Sequence, residues 1–171
     1  MKFNGAHLVS INRKGQILLV QRNDVPFWVI PGGKQQGKES PHRAAEREFT
    51  EETGMSTKAE ILLAKYKVKN GYYKFLFSGK FKGGKFIENN EVRNWGWFDP
   101  TRLPKPISLY EINRIRDFLL FNGKPSNRKN EVNLLKEIAN LARQPLLFLW
   151  VSYSYLKNHI LGSRSFNIHS S

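Results

Sequence analysis

The sequence predicts an α/β fold built on a mixed sheet, followed by a helical extension, and three observations carry that prediction. Strand-like apolar runs separated by polar turns fill most of the first 120 residues. One sharply bounded helix interrupts them between Ser40 and Gly54. A second amphipathic helix ends near Gly123, where the chain changes to a basic, polar composition. The length of 171 residues suits one principal domain of roughly 150 residues.

The elements follow in order. Ala6 to Ser10 and Gln16 to Gln21 flank Asn12-Arg13-Lys14-Gly15, a hairpin turn by composition. Ile17-Leu18-Leu19-Val20 is continuously apolar, as a strand buried on both faces requires. Trp28-Val29-Ile30 reads as a short strand stopped by Pro31-Gly32-Gly33. The helix then has Ser40 as N-cap, Pro41 at its first position and Gly54 just past its end. Ala45 and Phe49, four apart, form its apolar stripe. Strands are expected over Ile61–Lys69 and Tyr72–Phe81, joined at Asn70-Gly71, with a further turn at Gly83-Gly84. Val92 to Phe98 is strand-like, and Pro100, Pro104 and Pro106 stiffen the loop after it. The second helix is expected from Ser108 to Asn122, with Ile112, Ile115 and Leu119 on one face.

Residues 124–130 read as a basic linker. A helical pattern follows through Val132, Leu135, Ile138, Ala139 and Ala142. Pro145 breaks it before an apolar helix candidate at Leu146 to Leu161, and the last residues look disordered. The division expected is therefore a domain over 1–123, a helical extension over 124–162 and a tail over 163–171.

Composition narrows the chemistry. With no cysteine, disulfides, thiolate zinc sites and a cysteine nucleophile are excluded together. The N-terminus lacks an apolar core of signal-peptide length, and Leu146 to Leu156 is too short to span a bilayer; a cytoplasmic location is expected. The net charge of +14 favours anionic partners: nucleotides, nucleic acid or acidic lipid. The tail Leu146 to Val151 is too apolar to stay in water. Packing on the domain or on a second subunit is the first expectation for it, and lying on a membrane surface is the alternative.

The chemically informative segment lies on the first helix. Glu48, Glu51 and Glu52 fall at i, i+3 and i+4, so three carboxylates share one face. Clustered anions raise one another's pKa and call for a cation; an oxygen donor set suits Mg²⁺ or Mn²⁺. Outside this helix, Phe27, Trp28, Tyr72 and Tyr73 are candidates for stacking on a base. Arg22, Lys34 and Lys74 could meet phosphates. His42, in the first turn of the helix, is expected to face solvent.

The spacing extends further. Gly33, five residues, Glu39, seven residues, then Arg47-Glu48-Phe49-Thr50-Glu51-Glu52-Thr53-Gly54-Met55 resembles the Nudix box, G-x5-E-x7-R-E-U-x-E-E-x-G-U, where U is bulky and apolar. Every fixed position matches, and Trp28 to Gly33 looks like the family's usual lead-in. The chain is thus identified as a MutT-like member of the Nudix hydrolases over roughly residues 5 to 121. The resemblance implies an α/β/α sandwich and Mg²⁺-dependent hydrolysis of a nucleoside diphosphate linked to another group. The implied substrate is a small nucleotide such as a nucleoside triphosphate, ADP-ribose or a nucleotide sugar. RNA 5′ ends are the alternative substrate, and a ligand-sensing binding module the alternative class. Family likeness also makes a homodimer an expectation.

Residue by residue, the resemblance implies that Glu51 and Glu52 bind the metal and that Glu48 is a ligand or the general base. Arg47 would hold Glu48 or Glu39 in place, Glu39 would lock the loop onto the helix, and Gly54 would end it. The carbonyl of Gly32 or Gly33 would add a ligand. A further acidic ligand is expected from Glu91, with Glu88 the alternative.

Overall fold

The computed structural model describes residues 2–129 and 134–144. Nine strands and three α-helices are present among them: β1 (Phe3–Ile11), β2 (Ile17–Arg22), β3 (Trp28–Val29), β4 (Gly32–Lys34), α1 (Pro41–Thr53), β5 (Met55–Thr57), β6 (Ile61–Lys67), β7 (Tyr73–Gly84), β8 (Val92–Phe98), α2 (Leu109–Leu119), β9 (Ser126–Lys129) and α3 (Leu134–Ala142). The backbone of the sheet runs β3-β2-β1-β7-β6-β9, with β4 on β1, β5 on β7 and β8 on β2. β1 and β7 pair in parallel and β1 and β2 antiparallel, so the sheet is mixed as the sequence predicts.

The central strands are apolar on both faces because each face is covered. Leu8, Leu18 and Phe77 pack under α1 with Ala44, Ala45 and Phe49. Val9, Leu19 and Leu76 point the other way, toward Ile107 and Ile115 beside α2. All four residues Ile17 to Val20 are at most 1% exposed. This two-sided burial makes the sandwich.

The α1 boundaries fall where the caps place them. The Ser40 hydroxyl accepts from the Arg43 N–H at 3.3 Å, and Gly54 takes the left-handed conformation (φ 70°) while its N–H closes on the Thr50 carbonyl. A side chain with Cβ would be strained there.

Several expectations are corrected. Gly32-Gly33 does not merely stop a strand: with Lys34 it forms β4, paired to Gly5, Ala6 and His7. Gly83-Gly84 is not a turn but the end of β7, paired with β5; three residues after a helix give no periodicity from which to read that strand. Asn70-Gly71 does join β6 and β7, through a 3₁₀ turn. Helix α2 ends at Leu119, which is 47% exposed rather than on the packed face. Its buried face carries Glu111, Arg114 and Asp117 as well as Ile115. The expected linker contains β9, parallel to β6 at the sheet edge. His42 is exposed, yet its ring lies 4.3 Å from that of Phe77.

Helix α3 follows the helical pattern expected around Leu135 to Ala142 and contacts the domain through polar groups. Gln144 Oε1 accepts from the Ile107 N–H at 3.1 Å, Asn140 Nδ2 donates to the Ile107 carbonyl at 3.1 Å, and Glu137 Oε2 accepts from the Leu109 N–H at 3.1 Å. That last bond satisfies a donor in the first turn of α2. The helix candidate at 146–161, its membrane-surface alternative and the tail at 163–171 lie outside the described residues. No helix among the described residues is long and apolar enough to cross a membrane.

Candidate active site

The site is built where β4, α1 and the loop before β8 meet. Arg47 is its hub. Its Nη2 and Nε grip both Glu39 oxygens at 2.8 and 3.2 Å, and Nη1 reaches Glu48 at 2.9 Å and Glu51 at 2.7 Å. Nη2 also donates to the Lys34 carbonyl at 2.9 Å. One planar guanidinium therefore ties three carboxylates and β4 together, which suits its fixed fork of donors. Glu39 also accepts from the Gln36 N–H at 2.7 Å, closing the loop ahead of α1.

The glycine at 33 has a steric reason. A Cβ there would lie 2.3 Å from a Glu48 oxygen, so any other residue would push that carboxylate out of its place against β4. Its neighbour Gly32 donates its N–H to Glu52 Oε2 at 3.1 Å. The loop before β8 is held by Asn89, whose Nδ2 donates to the Glu52 carbonyl at 2.9 Å and whose Oδ1 accepts from the Glu91 and Val92 N–H groups, both at 3.0 Å. Asn23 N–H donates to the Glu91 carbonyl at 2.9 Å from the opposite side. A cleft of about 360 Å³ results, lined by Glu52, Glu91, Arg22, Asp24, Asn90, Val92 and Val20.

The electrostatics of these acids are uneven. Burial pushes the Glu52 carboxyl up to about 8; the Gly32 N–H opposes this and the charges of Glu48 and Glu91 add to it. Glu48 is also raised, chiefly by burial, against the pull of Arg47. Glu39 is lowered, chiefly by its Arg47 hydrogen bonds. Glu48 and Glu52 sit in the C-terminal half of α1, where the helix dipole further disfavours anions. Arg22 is engaged by Asp24 through a two-point ion pair, so it does little to neutralise Glu52.

The predicted residues are thus partly assembled. Glu52 and Glu91 share the cleft, while Glu88 lines the neighbouring hollow. Glu48 lies against Gly33 between them and Arg47. Glu51 is turned toward Arg47 and lines the outer groove of α1 with Glu39, Arg43 and Glu46. Among the described residues no three histidine or acidic side chains converge into a ready-made cation site. The donor chemistry nevertheless fits a hard cation: Glu39, Glu48 and Glu51 share a single arginine and are short of positive charge.

Of the weaker candidates, Arg22 lines the cleft and Lys34 is exposed on β4, where its carbonyl serves Arg47. Trp28 packs edge-on against Phe98, with centroids 4.9 Å apart, in the core under α2. Tyr72 sits in the turn between β6 and β7, and Lys74 is half-buried on β7 with its pKa lowered chiefly by burial.

Sequence reasoning missed Asn89, which only its loop contacts reveal. It also missed the polar layer beneath α2. There Arg114 pairs with Glu111 at 2.8 Å, and Glu111 in turn accepts from the Ile30 N–H at 3.2 Å. The Tyr66 hydroxyl donates to Asp117 at 2.7 Å, and Arg128 of β9 pairs with the same carboxylate. The Glu111/Arg114 pair at i, i+3 was the available signal.

A family model described as NUDIX domain matches residues 1–118. The chain belongs to the Nudix family. A Bacillus subtilis (strain 168) protein named "Putative 8-oxo-dGTP diphosphatase" is 36% identical over 120 residues, spanning 69% of this chain and 80% of that protein. An ADP-ribose pyrophosphatase of Methanocaldococcus jannaschii is 29% identical over 117 residues, 64% of this chain and 69% of that one. The crystal structure of an ADP-ribose pyrophosphatase from Streptococcus suis 89-1591 superposes with a TM-score of 0.59 at 26% identity, covering 73% of this Nudix chain and 96% of its own. The chain is accordingly a Nudix hydrolase of the pyrophosphohydrolase type, acting on nucleotide-linked substrates, in a family that generally uses divalent metal ions.

Proposed function

We propose that this enzyme hydrolyses a pyrophosphate bond in a small nucleotide, in the range spanned by nucleoside triphosphates, ADP-ribose and nucleotide sugars, and that it uses Mg²⁺ or Mn²⁺ to do so. The observation that carries the reading is the charge imbalance around Arg47. Glu48, Glu51, Glu52 and Glu91, with the Gly33 carbonyl, are the oxygen donors that would hold the cation. When bound, it would neutralise charge building up on the phosphate oxygens and make water more acidic.

The protein groups do the rest. Arg47 fixes Glu48 and Glu51 and stays behind the carboxylates. Glu48, half-buried beside β4 with its proton affinity raised chiefly by burial, would accept the proton of the attacking water. Asn89 and Asn23 hold the Glu91 backbone opposite Glu52. Arg22, at the rim, would meet an entering phosphate by giving up part of its pairing with Asp24.

The test is a hydrolysis screen with Mg²⁺ and with Mn²⁺ over nucleoside triphosphates, 8-oxo-dGTP, ADP-ribose, nucleotide sugars, dinucleoside polyphosphates and triphosphorylated RNA. Small nucleotides should be cleaved at the pyrophosphate, and Glu52→Gln should abolish the metal-dependent release. Undiminished activity in that variant would overturn the metal assignment. Activity confined to RNA ends would overturn the substrate reading.

A further inference from the structure

Beside the Glu52 cleft lies a second hollow of about 380 Å³, lined by Phe86, Glu88, Asn89, Val92, Arg93, Asn94 and Trp95. Its most distinctive feature is aromatic. The rings of Phe86 and Trp95 stack with centroids 5.2 Å apart and planes 16° from parallel. Phe86 is anchored against the core under α1, whereas Trp95 is 39% exposed. A tryptophan braced from one side and open on the other is a stacking surface that needs little further ordering.

Register connects this surface to the catalytic cleft. Trp95 pairs directly with Val20 on β2, and directly opposed residues of antiparallel strands point to the same face. Val20 and Arg22, two apart on that face, line the Glu52 cleft, and Val92 is a wall of both hollows. Trp95 lies three strand positions beyond Val92 across a register shift, up to roughly 10 Å, about the reach from a pyrophosphate through a sugar to a base. Arg93 is exposed at the same end of β8. The aromatic residues singled out in the sequence do not offer this: Trp28 packs in the core under α2, and Tyr72 belongs to the β6–β7 turn.

We propose that Trp95, braced by Phe86, is the platform on which the nucleobase of the substrate stacks, with Arg93 beside it to meet the sugar-phosphate. The assignment rests on the pyrophosphohydrolase reading and specifies how that site selects nucleotides. Stacking tolerates any base, because every base has a π-face.

The test compares wild type with Trp95→Ala and Trp95→Phe. For ATP and ADP-ribose, Trp95→Ala should raise KM about 10-fold with kcat nearly unchanged, and Trp95→Phe should restore most of the loss. Phosphoribosyl pyrophosphate, which has the pyrophosphate but no base, should bind wild type and Trp95→Ala alike in calorimetry with Ca²⁺. In the same buffer, ATP should quench tryptophan fluorescence in wild type and markedly less in Trp95→Phe. An unchanged KM in Trp95→Ala, an equal loss for the base-free compound, or equal quenching in wild type and Trp95→Phe would each overturn the proposal. If no nucleotide is hydrolysed at all, the hydrolase reading fails, and the quenching comparison still decides the platform.

Discussion

The two helices packed on the sheet each set acids next to an arginine, and they do so in opposite ways. Beneath α2, Glu111 has Arg114, and Asp117 has both Arg128 and the Tyr66 hydroxyl. Each acid there has its own partner. Beneath α1, a single Arg47 is shared by Glu39, Glu48 and Glu51, while Glu52 has one backbone N–H and a pKa pushed up to about 8. In the first arrangement each acid has a cationic partner, and it serves the fold. The second is short of positive charge, which costs stability; on the proposed reading an incoming cation and substrate would make up the difference. On the proposed reading, balance against imbalance is what would separate the structural acids from the working ones in this molecule.

The largest expected effect comes from Glu52. Glu52→Gln should lower Mg²⁺-dependent turnover by about 10³-fold, since it removes a metal oxygen donor from the reacting site. The same change should not destabilise the metal-free protein. The contrasting substitution is Arg114→Met, which leaves Glu111 buried and unpaired. It should cost about 3 kcal/mol in urea unfolding while leaving the kcat of the remaining folded enzyme within a few-fold. If Glu52→Gln unfolds the protein and Arg114→Met does not, the distinction between the faces collapses.

Arg47→Lys should lie between these two. Lysine keeps the charge but loses the fork that holds Glu39 at two points, so kcat should fall about 10- to 100-fold with a smaller loss of stability. Steady-state kinetics and thermal melts on the same samples separate the two effects.

The pH dependence carries a definite sign. The folded pKa of Glu52, about 8, lies above the usual carboxylate value of 4.5. Below 4.5 the group is protonated in both folded and unfolded chains. As pH rises toward 8 the unfolded chain loses this proton while the folded one keeps it, so stability drains away across that window. In metal-free buffer, Glu52→Gln should therefore gain stability relative to wild type as pH rises from 5 to 8, by about 1–3 kcal/mol. Mg²⁺ should erase the gain by stabilising wild type at pH 8. A flat difference would show that Glu52 ionises normally. The smallest effect belongs to Arg128→Ala: its side chain is 44% exposed, and the loss should be about 1 kcal/mol or less.

How much was legible beforehand follows the same division. The α1 boundaries were written in local chemistry, because Ser40, Pro41 and Gly54 act on adjacent backbone. The box residues were legible through their resemblance to the Nudix box, and Arg47 has its partners within thirteen positions of it. What escaped depends on contacts distant in sequence. Strand β9 exists because its Ser126–Lys129 backbone meets the β6 edge, and nothing in a basic, polar tetrapeptide announces that. Asn89 reads as a loop residue until α1 and β8 converge on it. Glu111, Arg114 and Asp117 escaped because the apolar spacing of α2 singles out Ile112, Ile115 and Leu119, and the partners of these polar groups lie across the fold.

The most direct test of the imbalance beneath α1 is a Mn²⁺ titration followed by electron paramagnetic resonance on wild type, Glu52→Gln and Arg114→Met. Wild type and Arg114→Met should bind the ion alike, and Glu52→Gln should bind it at least about 10-fold more weakly. Equal binding by wild type and Glu52→Gln would contradict the assignment of the charge-deficient face as the metal-holding one.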